Sequence, residues 1–334
     1  MRSAGPAVLL AMLTILALAG CLATRGSDDP ESGAFPPALR PLALPLHHLA
    51  IATGNYLNTD QRLDRRLFDG KARVGRAKSD LRLTWYGHAT ARIEIAGLSI
   101  LTDPVLDTPV DLASPLPHAF HKPLLSESSL PRIDAVLISH GDYDHLHMPS
   151  LRAIARRFPQ ATIILPEGLG HYGRDAGFTR VGPLKLGQNA MLGSLTVTAL
   201  PAIHATKRNL LGIPDGKAFS WEIRSRDRRV LFIGDTGYGS VFAEIGRQRG
   251  PYDLVLVPIG ASEPDYLVRE EHASPEEAVR IAEDLRARHA IGIHWGSFAL
   301  APETRSGPAR RFVAAGRDRI EALVLPLGRQ TAID

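Results

Sequence analysis

Short apolar runs recur along the chain from residue 81 onward, and most of them are too short to be helices. Runs of this length, rich in Val, Ile and Leu, are typical of buried strands. Several contain almost no polar residue, which favours sheets that are covered on both faces. The runs predict strands at residues 81–86, 91–95, 99–101, 135–139, 162–165, 195–200, 218–224, 230–233, 254–258 and 290–294.

The clearest helix signal lies at residues 274–288. Ser274 suits the N-cap, Pro275 suits the first helical position, and Glu277 completes a capping box. One face of this segment is apolar and consists of Ala278, Ile281, Ala282 and Leu285. Weaker patterns predict helices at 148–157, 240–249 and 308–315. Helices placed between apolar strands indicate an α+β protein whose sheets are buried by helices.

Composition and charge exclude little and add little. The chain has 334 residues, of which 44% are hydrophobic and 22% are charged, as in an ordinary globular protein. The formal net charge of +4 is small for this length. Because no basic run is interleaved with aromatic residues, the sequence does not indicate a nucleic-acid partner. Neither the oligomeric state nor the substrate follows from these numbers.

The N-terminus has the pattern of a secretory signal peptide. Arg2 gives a short positive region, and residues 7–19 are apolar but too few to span a bilayer comfortably. The following residues, Leu-Ala-Gly-Cys at 18–21, resemble the cleavage and lipidation site of a bacterial lipoprotein. Cys21 is the only cysteine, so no internal disulfide can form. We expect Cys21 to carry a membrane anchor; a free thiol behind an ordinary signal peptide is the alternative.

The predicted organisation therefore has four parts. A signal peptide covers residues 1–20, a proline-containing tether 21–45, an N-terminal lead-in 46–80, and the main folded domain 81–334. By the lipoprotein resemblance, Leu22 after the cysteine implies sorting to the outer membrane if the host has one. We expect a lipid-anchored protein of the bacterial cell envelope, on the periplasmic face of that membrane.

A compact group of metal-ligand residues follows the predicted strand at 135–139. Residues 140–145 read His-Gly-Asp-Tyr-Asp-His and place two histidines and two aspartates within six positions. Imidazole and carboxylate groups together suit zinc, iron or manganese. Three later segments, each after a predicted strand, carry His204, Asp235 and His294. Four such segments together predict a metal site, whereas a lone histidine after a strand is usually structural.

These segments resemble the metallo-β-lactamase superfamily. Within it, residues 81–334 are similar to the N-acyl phosphatidylethanolamine phospholipase D branch. The histidine motif carries the superfamily resemblance, and the stretches GDTGY at 234–238, PIGA at 258–261 and IHWG at 293–296 carry that to the branch. The resemblance implies a four-layer αβ/βα sandwich with metals at one edge of the sheets.

The resemblance also implies two divalent metal ions, zinc first, with iron or manganese as alternatives. It assigns one ion to His140, His204 and Asp235, with Asp142 as a further ligand. It assigns the other to Asp144, His145 and His294, with Asp235 bridging the two. One carboxylate has two oxygens and can hold two cations a few ångströms apart.

Position 142 departs from the family motif, which has histidine there. Asp142 is shorter, anionic and a harder ligand. It could ligate directly and favour iron or manganese over zinc. It could also reach the metal through water, or the first metal site could be weak. His147 could substitute for it, but we expect His147 to begin the next helix and face away.

Three more residues are expected around the ligands. His88 either lines the pocket or is structural, and Asp103 is expected to orient a ligand histidine. His272 precedes the best predicted helix, where it either contacts the substrate phosphate or leaving group or sits in the turn before that helix. We expect Asp144, Asp235 and His272 to take part in catalysis.

The function implied is metal-dependent hydrolysis by hydroxide formed at the metals. The branch resemblance implies a phosphodiester substrate such as N-acyl phosphatidylethanolamine or a related phospholipid. One alternative is a lactonase or phosphate-ester hydrolase acting on a soluble metabolite of the envelope. Another is a metal-binding lipoprotein without catalysis, which Asp142 would best support.

Overall fold

The computed structural model describes residues 62–68, 79–107, 119–120, 122–208 and 216–334. The predicted signal peptide, the tether and Cys21 lie outside these residues, as does most of the lead-in. Of the lead-in, a short 3₁₀ helix at Arg65–Phe68 is described. Within the described ranges, no helix has the length and apolar character needed to cross a bilayer.

The described strands form two sheets of seven strands each. The first contains β1 (Leu81–Gly87), β2 (Thr90–Ile95), β3 (Leu98–Thr102), β4 (Ala135–Leu137), β5 (Thr162–Pro166), β6 (Arg180–Leu184) and β14 (Gln330–Ile333). The second contains β7 (Asn189–Leu192), β8 (Leu195–Thr206), β9 (Gly216–Arg224), β10 (Arg229–Phe232), β11 (Leu254–Pro258), β12 (His289–Ile293) and β13 (Glu321–Leu323). The spatial orders are β14-β1-β2-β3-β4-β5-β6 and β13-β12-β11-β10-β9-β8-β7. Pairing is parallel from β3 to β6 and from β10 to β13, and antiparallel elsewhere.

Six α-helices are described. They are α1 (Met148–Arg157), α2 (Gly170–Asp175), α3 (Val241–Arg249), α4 (Asp265–Val268), α5 (Pro275–Asp284) and α6 (Gly307–Ala315). The predicted capping box of α5 is confirmed, because Ser274 accepts from the backbone of Glu277 and Glu277 accepts from that of Ser274. The predicted end of α5 at residue 288 is wrong. Arg286 has a left-handed φ of 55°, which ends the helix.

Two hydrophobic cores create the layers. The smaller core packs α1, through Leu151 and Ile154, against β4 and β5 of the first sheet. The larger core joins the inner faces of the two sheets, with Leu83 on one side and Trp221 on the other, and continues to Val279 of α5. The order helix, sheet, sheet, helix confirms the predicted four-layer αβ/βα sandwich.

Strand β8 differs most from its predicted bounds. The apolar run predicted its end at residue 200, but the strand continues to Thr206 through a register irregularity between Pro201 and Ala205. His204 therefore lies within a strand and not in the turn that was predicted. The strands β6, β7, β13 and β14 were also missed.

The carboxyl ends of the parallel strands meet at one edge of the sandwich, where the two sheets touch closely. A Cβ on Gly234, after β10, would lie 2.4 Å from Cβ of Ser139, after β4. Gly234 also has a left-handed φ of 72°. The indole N–H of Trp221 donates across the sheets to the carbonyl of Ile138 at 2.9 Å. These contacts fix the segments that carry the ligand-type residues.

Candidate metal centre

The metal-ligand residues predicted from the sequence converge at this edge. Asp103 follows β3, residues 140–145 follow β4, Asp235 follows β10 and His294 follows β12. His204 comes from the extended end of β8. The structure brings together all seven predicted ligands, namely His140, Asp142, Asp144, His145, His204, Asp235 and His294.

Asp235 lies between two groups of these residues. Its Oδ2 is 3.0 Å from Nε2 of His294 and 3.3 Å from Nε2 of His145. On the other side, ligand atoms of Asp235, His140 and His204 all lie within 4.8 Å of one another. Asp235 is therefore placed to contribute to two neighbouring cation sites.

The remaining two carboxylates each face one group. Oδ2 of Asp142 is 3.6 Å from Nε2 of His140 and 3.7 Å from Nε2 of His204. Oδ2 of Asp144 is 3.7 Å from Nε2 of His145. Two ligands of a tetrahedral metal at about 2.1 Å lie roughly 3.4 Å apart, so these separations fit two groups of ligands.

The hydrogen bonding supports the same interpretation. Several buried polar atoms here have no hydrogen-bond partner among the described residues: Nε2 of His140, His145, His204 and His294, and Oδ1 of Asp235. A buried polar group without a partner costs about 1–3 kcal/mol, so a cluster of them requires an explanation. Coordination of a cation supplies one, and the donor set fits divalent metals.

Asp103 organises a histidine from each group. Its Oδ2 accepts from Nδ1 of His145 at 2.7 Å and from the hydroxyl of Ser139. Because that hydroxyl donates to Asp103, it accepts from Nδ1 of His140, 2.9 Å away. Both histidines thus carry their proton on Nδ1, which leaves Nε2 as the ligand atom. The carboxylate of Asp103 is fully buried.

His88 lies beside the second group. Its Nε2 is 2.9 Å from Oδ2 of Asp144, and its backbone carbonyl accepts from the backbone N–H of His294 at 2.9 Å. His88, Asp103 and His294 have left-handed φ values of 52°, 32° and 60°. Such strain in non-glycine residues clusters at functional sites because the surrounding structure holds it in place.

His272 enters from the segment between α4 and α5. Its Nδ1 is 3.9 Å from Oδ2 of Asp235 and has no hydrogen-bond partner among the described residues. Its ring stacks on that of His294 at 5.7 Å between centroids. The imidazole therefore faces the metal-ligand cluster. His147, as expected, is the N-cap of α1, where its Nδ1 is 2.7 Å from the Ser150 hydroxyl.

Burial and mutual contact shift the ionisation of these groups. Burial opposes ionisation of Asp235, but the contacts with His145 and His294 hold the pKa of its carboxyl well below the usual range. In the same way, His140 and His204 hold down the pKa of Asp142 against the effect of burial. The carboxylates are thus anionic at neutral pH, as ligation requires.

The histidines differ from one another. Burial lowers the pKa of His88 to about 3, and the neighbouring His294 acts in the same direction. Burial also lowers the pKa of His140 and, strongly, that of His272. Burial also acts to lower the pKa of His145, but the charges of Asp235 and Asp144 have the larger combined effect and raise that pKa. The neutral imidazoles can serve as ligands or exchange a proton with a substrate.

Sequence reasoning missed the residues that hold Asp142 and His204. Thr206 Oγ1 and the backbone N–H of Lys207 both donate to Oδ1 of Asp142, at 2.9 and 2.6 Å. The carbonyl of Glu271 accepts from Nδ1 of His204 at 3.1 Å. No local pattern marks these residues, because the contacts join positions 64 to 67 residues apart.

Comparison with known proteins agrees with this geometry. A family model described as a β-lactamase superfamily domain matches residues 99–295. An uncharacterised protein of Mycobacterium tuberculosis is 37% identical over 263 residues, which are 75% of this chain and 68% of that protein. N-acyl-phosphatidylethanolamine-hydrolyzing phospholipase D 1 of Caenorhabditis elegans is 33% identical over 235 residues, 67% of this chain and 66% of the enzyme.

Solved structures share the fold. The isothiocyanate hydrolase from Delia radicum gut bacteria superposes with a TM-score of 0.61 at 21% identity, covering 76% of this chain and 99% of that one. At this identity the likeness bears on the fold alone. Fold, ligand cluster and family match together show that the chain belongs to the metallo-β-lactamase superfamily and is a metal-dependent hydrolase of that fold.

Proposed function

We propose that this protein hydrolyses a phosphodiester of N-acyl phosphatidylethanolamine or a related phospholipid. The observation that carries the proposal is the position of Asp235 between two groups of buried ligand atoms that lack other partners. Two divalent cations bound there would lower the pKa of a water molecule and neutralise charge on a phosphoryl oxygen. Zinc is the first candidate, with iron or manganese as alternatives.

The side chains around the ligands have supporting roles in this proposal. Asp103 fixes the tautomers of His140 and His145, so that both present Nε2. His88 holds the second carboxylate, Asp144, through the 2.9 Å contact with Oδ2. His272, whose pKa is lowered by burial, is neutral, so it can accept the proton that the attacking water gives up and pass that proton to the departing alcohol.

A small cavity beside the second group places apolar side chains next to the ligands. It adjoins His88 and His294, and its wall combines apolar side chains, among them Phe120, Trp295, Phe298 and Leu300, with the polar side chains of Glu303, Thr304 and Arg305. An enzyme that handles a lipid needs apolar surface next to its reactive centre, whereas an enzyme for a soluble metabolite needs a polar pocket. The name of the relative from C. elegans points to the same substrate class.

The N-terminal sequence supports a cellular location for the proposed reaction. A lipid on Cys21 would hold the domain at the cell envelope, on the periplasmic face of an outer membrane if the host has one. Phospholipid substrates would then be concentrated at the surface to which the protein is attached. The proposal includes the membrane as a partner and no nucleic acid.

The test is hydrolysis of labelled N-acyl phosphatidylethanolamine in detergent micelles by the full-length protein, loaded in turn with zinc, manganese or iron. We expect phosphatidic acid and N-acylethanolamine in equal amounts, since water adds to phosphorus and the alcohol leaves with a proton. His145→Ala should abolish release. His171→Ala is the matched control, because His171 is an exposed histidine that contacts the carbonyl of Gly168.

Three outcomes are informative. Release by wild type and by His171→Ala, but not by His145→Ala, supports the proposal. No release with any metal, together with turnover of a lactone or a soluble phosphate ester, would replace the substrate with a small envelope metabolite. Binding of metal without any turnover would indicate a metal-binding lipoprotein.

A further inference from the structure

The end of β8 grips the segment that carries the first metal-ligand motif. Thr206, Lys207 and Arg208 are consecutive, and each contacts residues 141–146. We refer to residues 206–208 as the β8 clamp. None of its three members is a metal-ligand type, so its contacts concern the position of the loop.

Two members of the clamp hold one oxygen of Asp142. The hydroxyl of Thr206 and the backbone N–H of Lys207 both donate to Oδ1. The other oxygen, Oδ2, is thereby directed at Nε2 of His140 and His204, at 3.6 and 3.7 Å. With one oxygen occupied by two donors, the carboxylate offers a single oxygen to a cation.

The position of Thr206 is itself fixed by close packing. A Cβ on Gly141 would lie 2.6 Å from Thr206 Oγ1, and a Cβ on Gly216 would lie 2.4 Å from Thr206 Cγ2. Both separations are shorter than side-chain atoms tolerate, so only glycine fits at each position. Thr206 is 1% exposed. The hydroxyl consequently has little freedom to turn away from Asp142.

Arg208 fixes both ends of the loop. Its guanidinium donates to the carbonyl of Gly141 at 2.7 Å and to that of Leu146 at 2.8 Å. It also lies over the rings of Tyr143 and Tyr172, at 4.3 and 4.8 Å from their centroids. A planar guanidinium can make these bonds and stacks together, which a lysine ammonium cannot.

We propose that the β8 clamp presents Asp142 Oδ2 as a direct, single-oxygen ligand of the metal that His140 and His204 hold. Asp142 thus takes the place of the histidine of the family motif, and Thr206 and Arg208 act as positioning residues. The inference rests on the metal centre of the proposed function, and it does not depend on the substrate.

The experiment measures metal binding and not turnover. Metal-free protein is titrated with Zn²⁺ and with Mn²⁺ by competition with a fluorescent chelator, and the visible spectrum of Co²⁺-loaded protein is recorded. Wild type should bind two ions. Thr206→Val, Arg208→Lys and Asp142→Asn should each bind one ion about 10–100-fold more weakly and leave the other unchanged.

Two further variants control for folding and for chemistry. Thr196→Val makes the same substitution near the start of β8, where the hydroxyl donates to Sδ of Met191 at 3.6 Å, and it should behave as wild type. Thr206→Ser keeps the hydroxyl and should retain tight binding of both ions. Far-ultraviolet circular dichroism of each metal-free variant identifies any that fails to fold.

The outcomes separate the clamp from the proposed activity. If Thr206→Val binds both ions as tightly as wild type, the clamp is refuted. If Asp142→Asn leaves the Co²⁺ spectrum and both affinities unchanged, direct ligation is refuted. Absence of phospholipid hydrolysis with the predicted binding pattern would overturn the proposed substrate and leave the clamp standing.

Discussion

Replacement of Asp103 by asparagine tests how the two ligand groups are organised. Asp103 Oδ1 accepts from the backbone N–H of Ser139 at 2.8 Å, and Oδ2 accepts from the Ser139 hydroxyl and from Nδ1 of His145. Asparagine has nearly the same shape but only one acceptor oxygen. The NH₂ group of asparagine must therefore face one of the donors from which the carboxylate of Asp103 accepts a hydrogen bond.

Either orientation of the amide has a cost of known size. If NH₂ faces Ser139 N–H, two buried donors oppose each other, and the free energy of unfolding falls by about 1–3 kcal/mol. If NH₂ faces His145, the imidazole must carry its proton on Nε2 and loses its ligand atom. Metal affinity then falls about 10–100-fold, or roughly 1.4–2.8 kcal/mol.

The assay combines chelator competition for Zn²⁺ with urea unfolding of the metal-free protein. Asp134→Asn is the matched control. Asp134 lies just before the start of β4, whereas Asp103 lies beside the end of that strand. The Asp134 carboxylate also accepts from a backbone N–H, that of Ser99 at 2.8 Å. At least one of the two quantities should shift in Asp103→Asn by the amount given. Wild-type values for both would refute the tautomer argument.

Three further predictions follow from other contacts. Ser274→Ala should lower the free energy of unfolding by about 1 kcal/mol in urea because it removes the capping box of α5, whereas Ser240→Ala should have little effect, since the Ser240 side chain makes no cap bond to α3; equal losses would contradict this. Burial raises the pKa of Glu303 from 4.5 to about 7, so the folded state binds the extra proton and stability falls as pH rises through that interval. In metal-free protein, Glu303→Gln should remove up to about 3 kcal/mol of the fall in the free energy of unfolding between pH 4.5 and about 7. An unchanged fall over this pH range would refute the raised pKa of Glu303. Asp142→His should lower the affinity for one metal ion by at least about tenfold in a chelator titration, because the imidazole is longer than the space that the β8 clamp leaves. Tighter zinc binding would show instead that the first metal site of wild type is weak.

The strands that the sequence predicted best are those buried on both faces. Leu254–Pro258 has its predicted bounds, and all five of its residues are buried. Helix α1 also has its predicted bounds, since its apolar face packs on the first sheet. Arg180–Leu184 and Asn189–Leu192 were missed, because most positions of these edge strands are exposed or half-buried and their longest apolar run is the three residues 190–192.

The ligand types could be read from local motifs, but their arrangement could not. His140, Asp144 and His145 lie within one short motif, which is why they were recognisable together. The roles of Thr206 and Arg208 depend on how β8 extends past its apolar run and meets a loop more than sixty positions earlier. The left-handed backbone of His88 and Asp103 is likewise held by tertiary contacts. His and Asp adopt this conformation more often than most residues, but the residue type does not say at which position it occurs.

Some residues contact both ligand groups, whereas others contact only one, and the two kinds of residue should affect metal binding differently. Asp235 lies between the groups, and Asp103 reaches His145 directly and His140 through Ser139. Substitution of Asp235 alters both groups and should therefore weaken the binding of both ions. Among the hydrogen bonds of the described residues, that of the Thr206 side chain reaches only one ligand, Asp142, so substitution of Thr206 should weaken the binding of one ion alone. If Thr206→Val and Asp235→Asn gave the same binding pattern, the separation into two ligand groups would be wrong, because a single site would then account for both.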